Sequence, residues 1–485
     1  MNKLVTSNCD AISTPPPYHV FRVLDCFFVF DTSTVVFYEI NEITYDFLHA
    51  SLTMPLHEVP QELIKYGKYN TQQIHNVALE VERLFQSGLA DIPQFILKDS
   101  EIEKRLSNVG TKNLRGLHLM LSETCNLACK YCFCETGKEI KSSNFMSQEI
   151  AKKAIKLLFH SEAQELYILF FGGEPLLNFE TLKFAYEYSQ ALCEQTNKKI
   201  TYSITSNGTL ITDEIAAYLK EKNISILVSM DGPPELHNSQ RPMRNGTGSY
   251  EMMLNGVRNL KKYGTSVQVC SVMTHPAFSL EELLNFIRSV NLFDRIIIGH
   301  AINPFSAANC YDFTEDDYKK YIQEQEKMLP ALVANVLENG DSIDYFPYSN
   351  ALGAIRGGLS KSKIDFFKCQ AGRLDFTVST DGILYPCARF NSSLNWTFGT
   401  VENPNYENVK NFWKKYLNAI TFVCHQCWAW PLCHGICPWE IMNFDGSFTM
   451  NDTYCFHKKS QYEHAAYIYA KCGAVVHHFP DEKNQ

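Results

Sequence analysis

Ser122-Glu123-Thr124-Cys125-Asn126-Leu127-Ala128-Cys129-Lys130-Tyr131-Cys132 sets three thiols in a CxxxCxxC spacing, directly after the apolar run GLHLML at 116–121. That run reads as a β-strand, so the thiols fall on a loop at a strand's C-terminal end, where barrel enzymes carry their chemistry. Three thiolates can hold three irons of a four-iron cluster and leave the fourth iron open. An open coordination position is what a catalytic metal requires. A zinc loop is the plainer alternative, but zinc sites ask for a fourth ligand and tighter pairs.

Outward from this loop the chain alternates. Strand-like runs at 116–121, 166–171, 199–205, 224–230, 266–272 and 295–300 are separated by helical patterns near 147–159, 179–194, 211–222, 249–263 and 279–290. Alternation of this kind predicts a parallel α/β sheet. Six units fit a partial (β/α)6 TIM-like barrel better than a closed eight-fold one.

The ends of the later strands carry further signals. Gly172-Gly173-Glu174-Pro175 follows the second strand, Thr205-Ser206-Asn207-Gly208 ends the third, Ser229 and Asp231-Gly232 end the fourth, and Arg241 lies in the loop beyond. Glycines allow close backbone approach to a ligand, a carboxylate pairs with an ammonium, and hydroxyl and amide groups suit a ribose. Each signal alone is an ordinary turn or a solvated charge; together, at successive strand ends, they describe one site.

With these motifs, residues 114–300 resemble the radical S-adenosylmethionine superfamily. The resemblance implies that Cys125, Cys129 and Cys132 hold the cluster whose open iron chelates S-adenosylmethionine. It assigns the methionine amino group to Gly172, Gly173, Glu174 and Pro175, and the ribose to Thr205, Ser206, Asn207 and Ser229. Arg241, beside Asp231, is implied for the methionine carboxylate, and Phe133 for the adenine. The chemistry implied is a 5′-deoxyadenosyl radical that takes a hydrogen from a substrate.

Ten of the 17 cysteines fall in two spaced groups. The second group is Cys369, then Gly382 and Cys387, then Cys424, Cys427, Cys433, Cys437 and Cys455, with the last five spaced Cx2Cx5Cx3C and seventeen residues on. A zinc ribbon would account for Cys424 and Cys427 but not for seven thiols in this order. The pattern is similar to the SPASM domain of radical maturases. It implies two auxiliary four-iron clusters, three [4Fe-4S] clusters in all. Cys424, Cys427, Cys433 and Cys455 would hold the distal cluster and Cys369, Cys387 and Cys437 the proximal one. Many relatives of that kind add an eighth cysteine about six positions before the first. Lys363 stands there in this chain, which leaves the proximal set one ligand short. The scattered Cys9, Cys26, Cys134, Cys193, Cys270, Cys310 and Cys472 read as packed or surface thiols.

Ahead of the barrel, YHVFRV (18–23), CFFVFD (26–31) and VVFYEI (35–40) read as three short strands, followed by helices near 42–50, 58–66 and 71–89. Phe21-Arg22-Val23 and Phe37-Tyr38-Glu39-Ile40-Asn41-Glu42 resemble the winged-helix-like domain by which peptide maturases capture a leader as an added strand. The expected organisation is therefore this domain at 1–95, a polar linker at 96–113, the barrel at 114–305, a helical bridge at 306–365, and a SPASM domain of turns and short strands at 366–485, closed by a tail helix near 456–473.

Composition limits the partners. The chain of 485 residues carries a net charge of −9 with no basic run, and no apolar stretch of signal-peptide or membrane-span length. These features predict a cytoplasmic protein with neither nucleic acid nor membrane as partner. The resemblance implies a precursor peptide and a one-electron reductant such as flavodoxin or ferredoxin. It also implies a product, a thioether between a cysteine sulfur and a carbon of that peptide. Carbon–carbon coupling and sulfatase-type formylglycine maturation are the alternatives. The sulfatase pattern usually has an aspartate after the cysteine occupied here by Cys387, where this chain has Ala388, and it lacks the N-terminal domain.

Overall fold

The computed structural model describes residues 17–89, 99–107, 109–133, 144–276, 279–302, 311–339, 346–359, 369–391, 395–443 and 445–476. Cys9, Cys134, Cys310 and Lys363 lie outside the described residues.

Strands β1 (Tyr18–Val23), β2 (Cys26–Asp31) and β3 (Val36–Ile40) form an antiparallel sheet in that order. The turn after β2 is set by Asp31, whose Oδ1 accepts the backbone N–H of Ser33 at 2.9 Å and of Thr34 at 3.2 Å. Helices α1 (Glu42–Ser51), α2 (Val59–Tyr66) and α3 (Thr71–Leu84) follow. Asn41 and Asn70 cap α1 and α3, the latter in a reciprocal capping box with Gln73. The last helix is shorter than the pattern predicts. It passes into a single π-turn at Phe85–Leu89, where Gly88 takes φ 108°.

The expected linker contains α4 (Asp99–Leu106), because Ile102 and Leu106, one turn apart in a polar run, bury against the barrel core. The barrel then runs β4 (Gly116–Ser122), α5 (Gln148–Phe159), β5 (Glu165–Gly172), α6 (Phe179–Thr196), β6 (Lys199–Ser206), α7 (Asp213–Glu221), β7 (Ile224–Ser229), α8 (Pro234–Gln240), α9 (Tyr250–Lys262), β8 (Val267–Met273), α10 (Leu280–Val290) and β9 (Arg295–His300). These six strands are parallel and neighbours in chain order. Helix α8 is absent from the sequence pattern. It is a short helix that starts at Pro234, where a proline serves as a helix's first residue.

Beyond β9 come α11 (Glu315–Asn339), α12 (Phe346–Leu359), β10 (Asp375–Val378), β11 (Leu384–Tyr385), α13 (Tyr406–Cys424), α14 (Trp430–Cys433) and α15 (Asp452–Val476). Two findings differ from the sequence reading. The barrel sheet has eight strands, not six: β10 joins β4 in parallel, and β11 pairs with β10 antiparallel, so the sheet stays open between β11 and β9. The cysteine-rich region is also not only turns and short strands. Val409, Phe412, Trp413, Tyr416, Leu417, Ile420 and Cys424 bury one stripe of α13, spaced as an amphipathic helix requires.

One face of the N-terminal sheet packs Val20 and Val29 on Phe47, Leu48, Ile74 and Val77 of its own helices. Phe21, Phe28 and Phe30, on the other face, pack against α11, α12, α15 and Trp428. Among the described residues no helix is long and apolar enough to cross a membrane.

Candidate active site at the strand ends

Cys125, Cys129 and Cys132 follow β4 on a loop that backbone contacts fix. Ala128 N–H donates to Pro242 O at 2.8 Å, Lys130 N–H to Gln240 O at 2.9 Å, and Arg244 N–H to Asn126 O at 3.1 Å. The Arg244 side chain adds Nε to Cys125 O at 2.5 Å and Nη2 to Thr124 Oγ1 at 3.2 Å. The β4–β5 register shifts between Met120 and Ser122, just before the chain enters the loop.

The glycines of the GGEP motif have a reason the sequence did not show. A Cβ on Gly173 would stand 2.3 Å from Thr124 O, and one on Gly172 2.3 Å from Ser122 O. The close approach they permit is to the cysteine loop itself. Gly173 N–H donates to Ser122 O at 2.7 Å, and Glu174 N–H to Thr124 O at 3.0 Å. Gly173→Ala is expected to push the loop away and cost the chain the iron bound there, about four atoms by ligand counting. Iron analysis of the anaerobically reconstituted variant checks this.

Glu174 is fully buried and joins three motifs. Its carboxylate accepts Leu176 N–H at 3.1 Å, Ser206 Oγ–H at 2.9 Å and Asn207 N–H at 2.8 Å. Burial pushes its pKa up to about 7 against the pull of those donors. Asn207 in turn donates from Nδ2 to Cys125 Sγ at 3.5 Å and to Asn126 Oδ1 at 2.8 Å. Glu174→Ala leaves the three donors without their acceptor. At roughly 1–3 kcal/mol each, a loss of about 3 kcal/mol or more of stability is expected, read as a lower Tm.

Arg241 is also tied into the protein's own polar network. Its guanidinium grips Asp231 with two bonds, Nε to Oδ2 at 2.8 Å and Nη2 to Oδ1 at 3.1 Å. Asp231 also accepts the Tyr131 hydroxyl and Val272 N–H at 3.0 Å. Nη1 remains directed at Cys129, 3.9 Å from its Sγ. Thr205, Ser229 and Cys270 lie on strand positions opposite the residues that pack on the helices, so they share the concave face. Phe133 meets Trp439 edge-on at 6.4 Å, and Pro175 starts the short 3-10 turn after Glu174. Sequence reasoning missed Asn126, Tyr131 and Arg244, which bond to the loop or to Asp231. Their only signal was proximity to cysteines or to Arg241.

The seven remaining cysteines sort into two sets. Cys369, Cys387 and Cys437 act on one another electrostatically. Cys424 feels Cys427, Cys433 and Cys455. A cavity of about 430 Å³ opens between the sets, with Cys369, Cys437, Cys433, Trp413, Tyr416 and Tyr462 on its walls. Burial pushes the Cys387, Cys437 and Cys455 thiols up to about 12 and Cys369 to about 11. Among the described residues no three His, Cys, Asp or Glu side chains converge as they would around a single ion. Sets of three and of four thiols could each hold an iron–sulfur cluster. Binding iron there would release protons from these thiols.

A family model described as the Radical SAM superfamily matches residues 119–290. The cysteine-type anaerobic sulfatase-maturating enzyme of Clostridium novyi (strain NT) is 27% identical over 347 residues, 67% of this chain and 88% of that protein. The radical SAM cyclopropyl synthase TigE of Paramaledivibacter caminithermalis is 25% identical over 358 residues, 69% of this chain and 70% of that one. The solved structure of native anSMEcpe with bound AdoMet aligns with a TM-score of 0.61 at 25% identity, over 75% of this chain and 99% of that one. A second structure of that protein, with AdoMet and the Kp18Cys peptide, aligns with the same TM-score at 24% identity. This chain carries a radical SAM domain and is a homologue of the anaerobic sulfatase-maturating enzymes.

Proposed function

We propose that this protein is a peptide maturase that installs thioether links, cysteine sulfur to carbon, in a ribosomally made precursor peptide. The observation that carries this reading is the sorting of ten cysteines into a strand-end triplet and two further sets, one of three and one of four. Cys125, Cys129 and Cys132 would hold the cluster at which S-adenosylmethionine is reductively cleaved to a 5′-deoxyadenosyl radical. Glu174, Asn207, Ser229 and Arg241 would seat that cofactor. Residues 366–485 would hold two auxiliary clusters, receive the substrate's reacting segment and take up the electron released when the link forms. The set Cys369, Cys387 and Cys437 has three thiols and Lys363 where an eighth cysteine would stand, which favours sulfur chemistry through an iron open to a soft ligand. The test is mass spectrometry of a short cysteine-bearing peptide encoded beside this gene, after anaerobic reaction with reductant. A thioether that disappears when the peptide's cysteine is serine supports the reading, whereas coupling that persists shows carbon–carbon chemistry.

The relatives favour a second reading, formylglycine maturation of a sulfatase. Ala388 after Cys387 stands against it, because the aspartate of that pattern is missing. A sulfatase-derived cysteine peptide returned as an aldehyde would decide for it.

The N-terminal sheet would capture the leader. Among the described residues neither outer edge of the β1–β2–β3 sheet pairs with another strand, so an extended peptide can add there. Deleting this domain is a poor test, because Phe21, Phe28 and Phe30 cover Trp428 and Tyr462. Hydrogen exchange is the better one. Residues 36–40 or 18–23 are expected to gain protection when a leader-bearing peptide is added to the whole chain. Unchanged exchange at both edges would reject the role. The proposed setting is the cytoplasm, with flavodoxin or ferredoxin as electron donor.

A further inference from the structure

Arg389 stands two residues beyond Cys387, on the short 3-10 turn Ala388–Phe390. Its charge is felt at Cys270 on β8, at His300 at the end of β9, and at Cys387 and Cys437. Cys270 also feels Arg241 and Asp231. The guanidinium therefore lies within electrostatic reach of both the barrel strand ends and the auxiliary triplet.

The side chain is only half-buried, with 38% of its surface accessible. Among the described residues its ion-pair partner is Glu440, with Nη1 to Oε1 at 3.8 Å, too long for a hydrogen bond. Arg241 shows the contrast: two bonds of 2.8 and 3.1 Å occupy its fork on Asp231. A guanidinium carries five donors in a planar fork that fits a carboxylate with two bonds. At Arg389 that fork is present, accessible and loosely held.

We propose that Arg389 is a specificity-determining residue whose guanidinium binds a carboxylate of the peptide substrate within reach of the barrel strand ends and the Cys369, Cys387 and Cys437 set. This rests on the reading that the chain modifies a peptide. It adds that the residue presented to the radical has an acidic side chain or a free C-terminus close by. A pairing of this kind orients the reacting segment before any bond is made.

The experiment uses the anaerobically reconstituted, reduced full chain without S-adenosylmethionine, and three probes. N-acetyl-aspartic acid α-amide carries a side-chain carboxylate, N-acetylalanine a terminal carboxylate, and N-acetyl-asparagine amide neither. Proton NMR follows broadening of each acetyl methyl by the paramagnetic auxiliary cluster. One of the two carboxylates is expected to reach half-effect at about tenfold lower concentration than the neutral amide, in line with a charge-assisted bond of modest strength, and which one does so identifies the source. Arg389→Gln should erase the difference, and Arg389→Lys should keep part of it. Iron content equal to the wild type establishes that each variant is folded and loaded. Equal broadening by all three probes, no broadening by any, or a preference that survives Arg389→Gln overturns the proposal. Formation of 5′-deoxyadenosine is measured separately on the wild type, so failure of the maturase reading is seen apart from failure of the anion site.

Discussion

Replacing Cys125, Cys129 and Cys132 together by alanine is expected to abolish reductive formation of 5′-deoxyadenosine, while about eight of about twelve irons remain bound. The structure makes this a clean experiment. The loop is held by Ala128, Lys130 and Glu174 N–H groups and by Arg244 on backbone carbonyls, and none of these bonds uses a thiol. Alanine therefore removes the ligands and leaves their scaffold in place. The lost side-chain contacts are few, chiefly Asn207 Nδ2 and Leu127 N–H on Cys125 Sγ. Iron analysis and chromatographic detection of the nucleoside check both halves. Cofactor cleavage that persists in the triple variant would move the catalytic centre elsewhere. A fall to no iron at all would mean that the loop is needed for the rest of the chain to load.

Much of this was legible in the sequence because the signals were local. The six barrel strands fall within one residue of the runs that predict them, since a parallel strand buried on its helix-facing side needs apolar β-branched residues in a short unbroken run. Helix starts at Ser147, Thr212 and Ser279 carry their own capping side chains. What escaped was non-local. Nothing near 375–378 indicates that this strand pairs with β4, some 260 positions earlier, since only the fold brings the two edges together. Helix α13 was hidden by the cysteines around it, although Val409, Phe412, Trp413 and Tyr416 have helical spacing. The site shows the same division. The sequence does not show that Glu174, through its three bonds to Leu176, Ser206 and Asn207, also ties two motifs together. The bidentate grip of Arg241 on Asp231, a residue ten positions away that the fold turns towards it, was not legible either.

Cys437→Ala and Cys433→Ala are expected to give opposite results although the two positions are four apart. The chain turns sharply between them, with His434 at φ 53° and Gly435 at φ 98°, both left-handed. A Cβ on Gly435 would stand 2.6 Å from the Tyr416 hydroxyl, so the turn is fitted to its surroundings as well as left-handed. Across this turn Cys433 acts electrostatically on Cys424 and Cys455, whereas Cys437 interacts with Cys369 and Cys387. Cys437 feels the charges of Glu440 and Arg389. Its loss should remove the proximal set alone, leaving about eight irons, and should abolish the peptide product while 5′-deoxyadenosine still forms, because the strand-end loop is untouched. Cys433→Ala should spare that proximal set and perturb the spectrum of the other. Electron paramagnetic resonance of the reduced variants, with iron counts and product analysis, distinguishes the two. If either substitution erased both auxiliary signals, the two sets would be a single site, and the cavity lined by Cys369, Cys433 and Cys437 would have to be read as the place of one cluster bridging them.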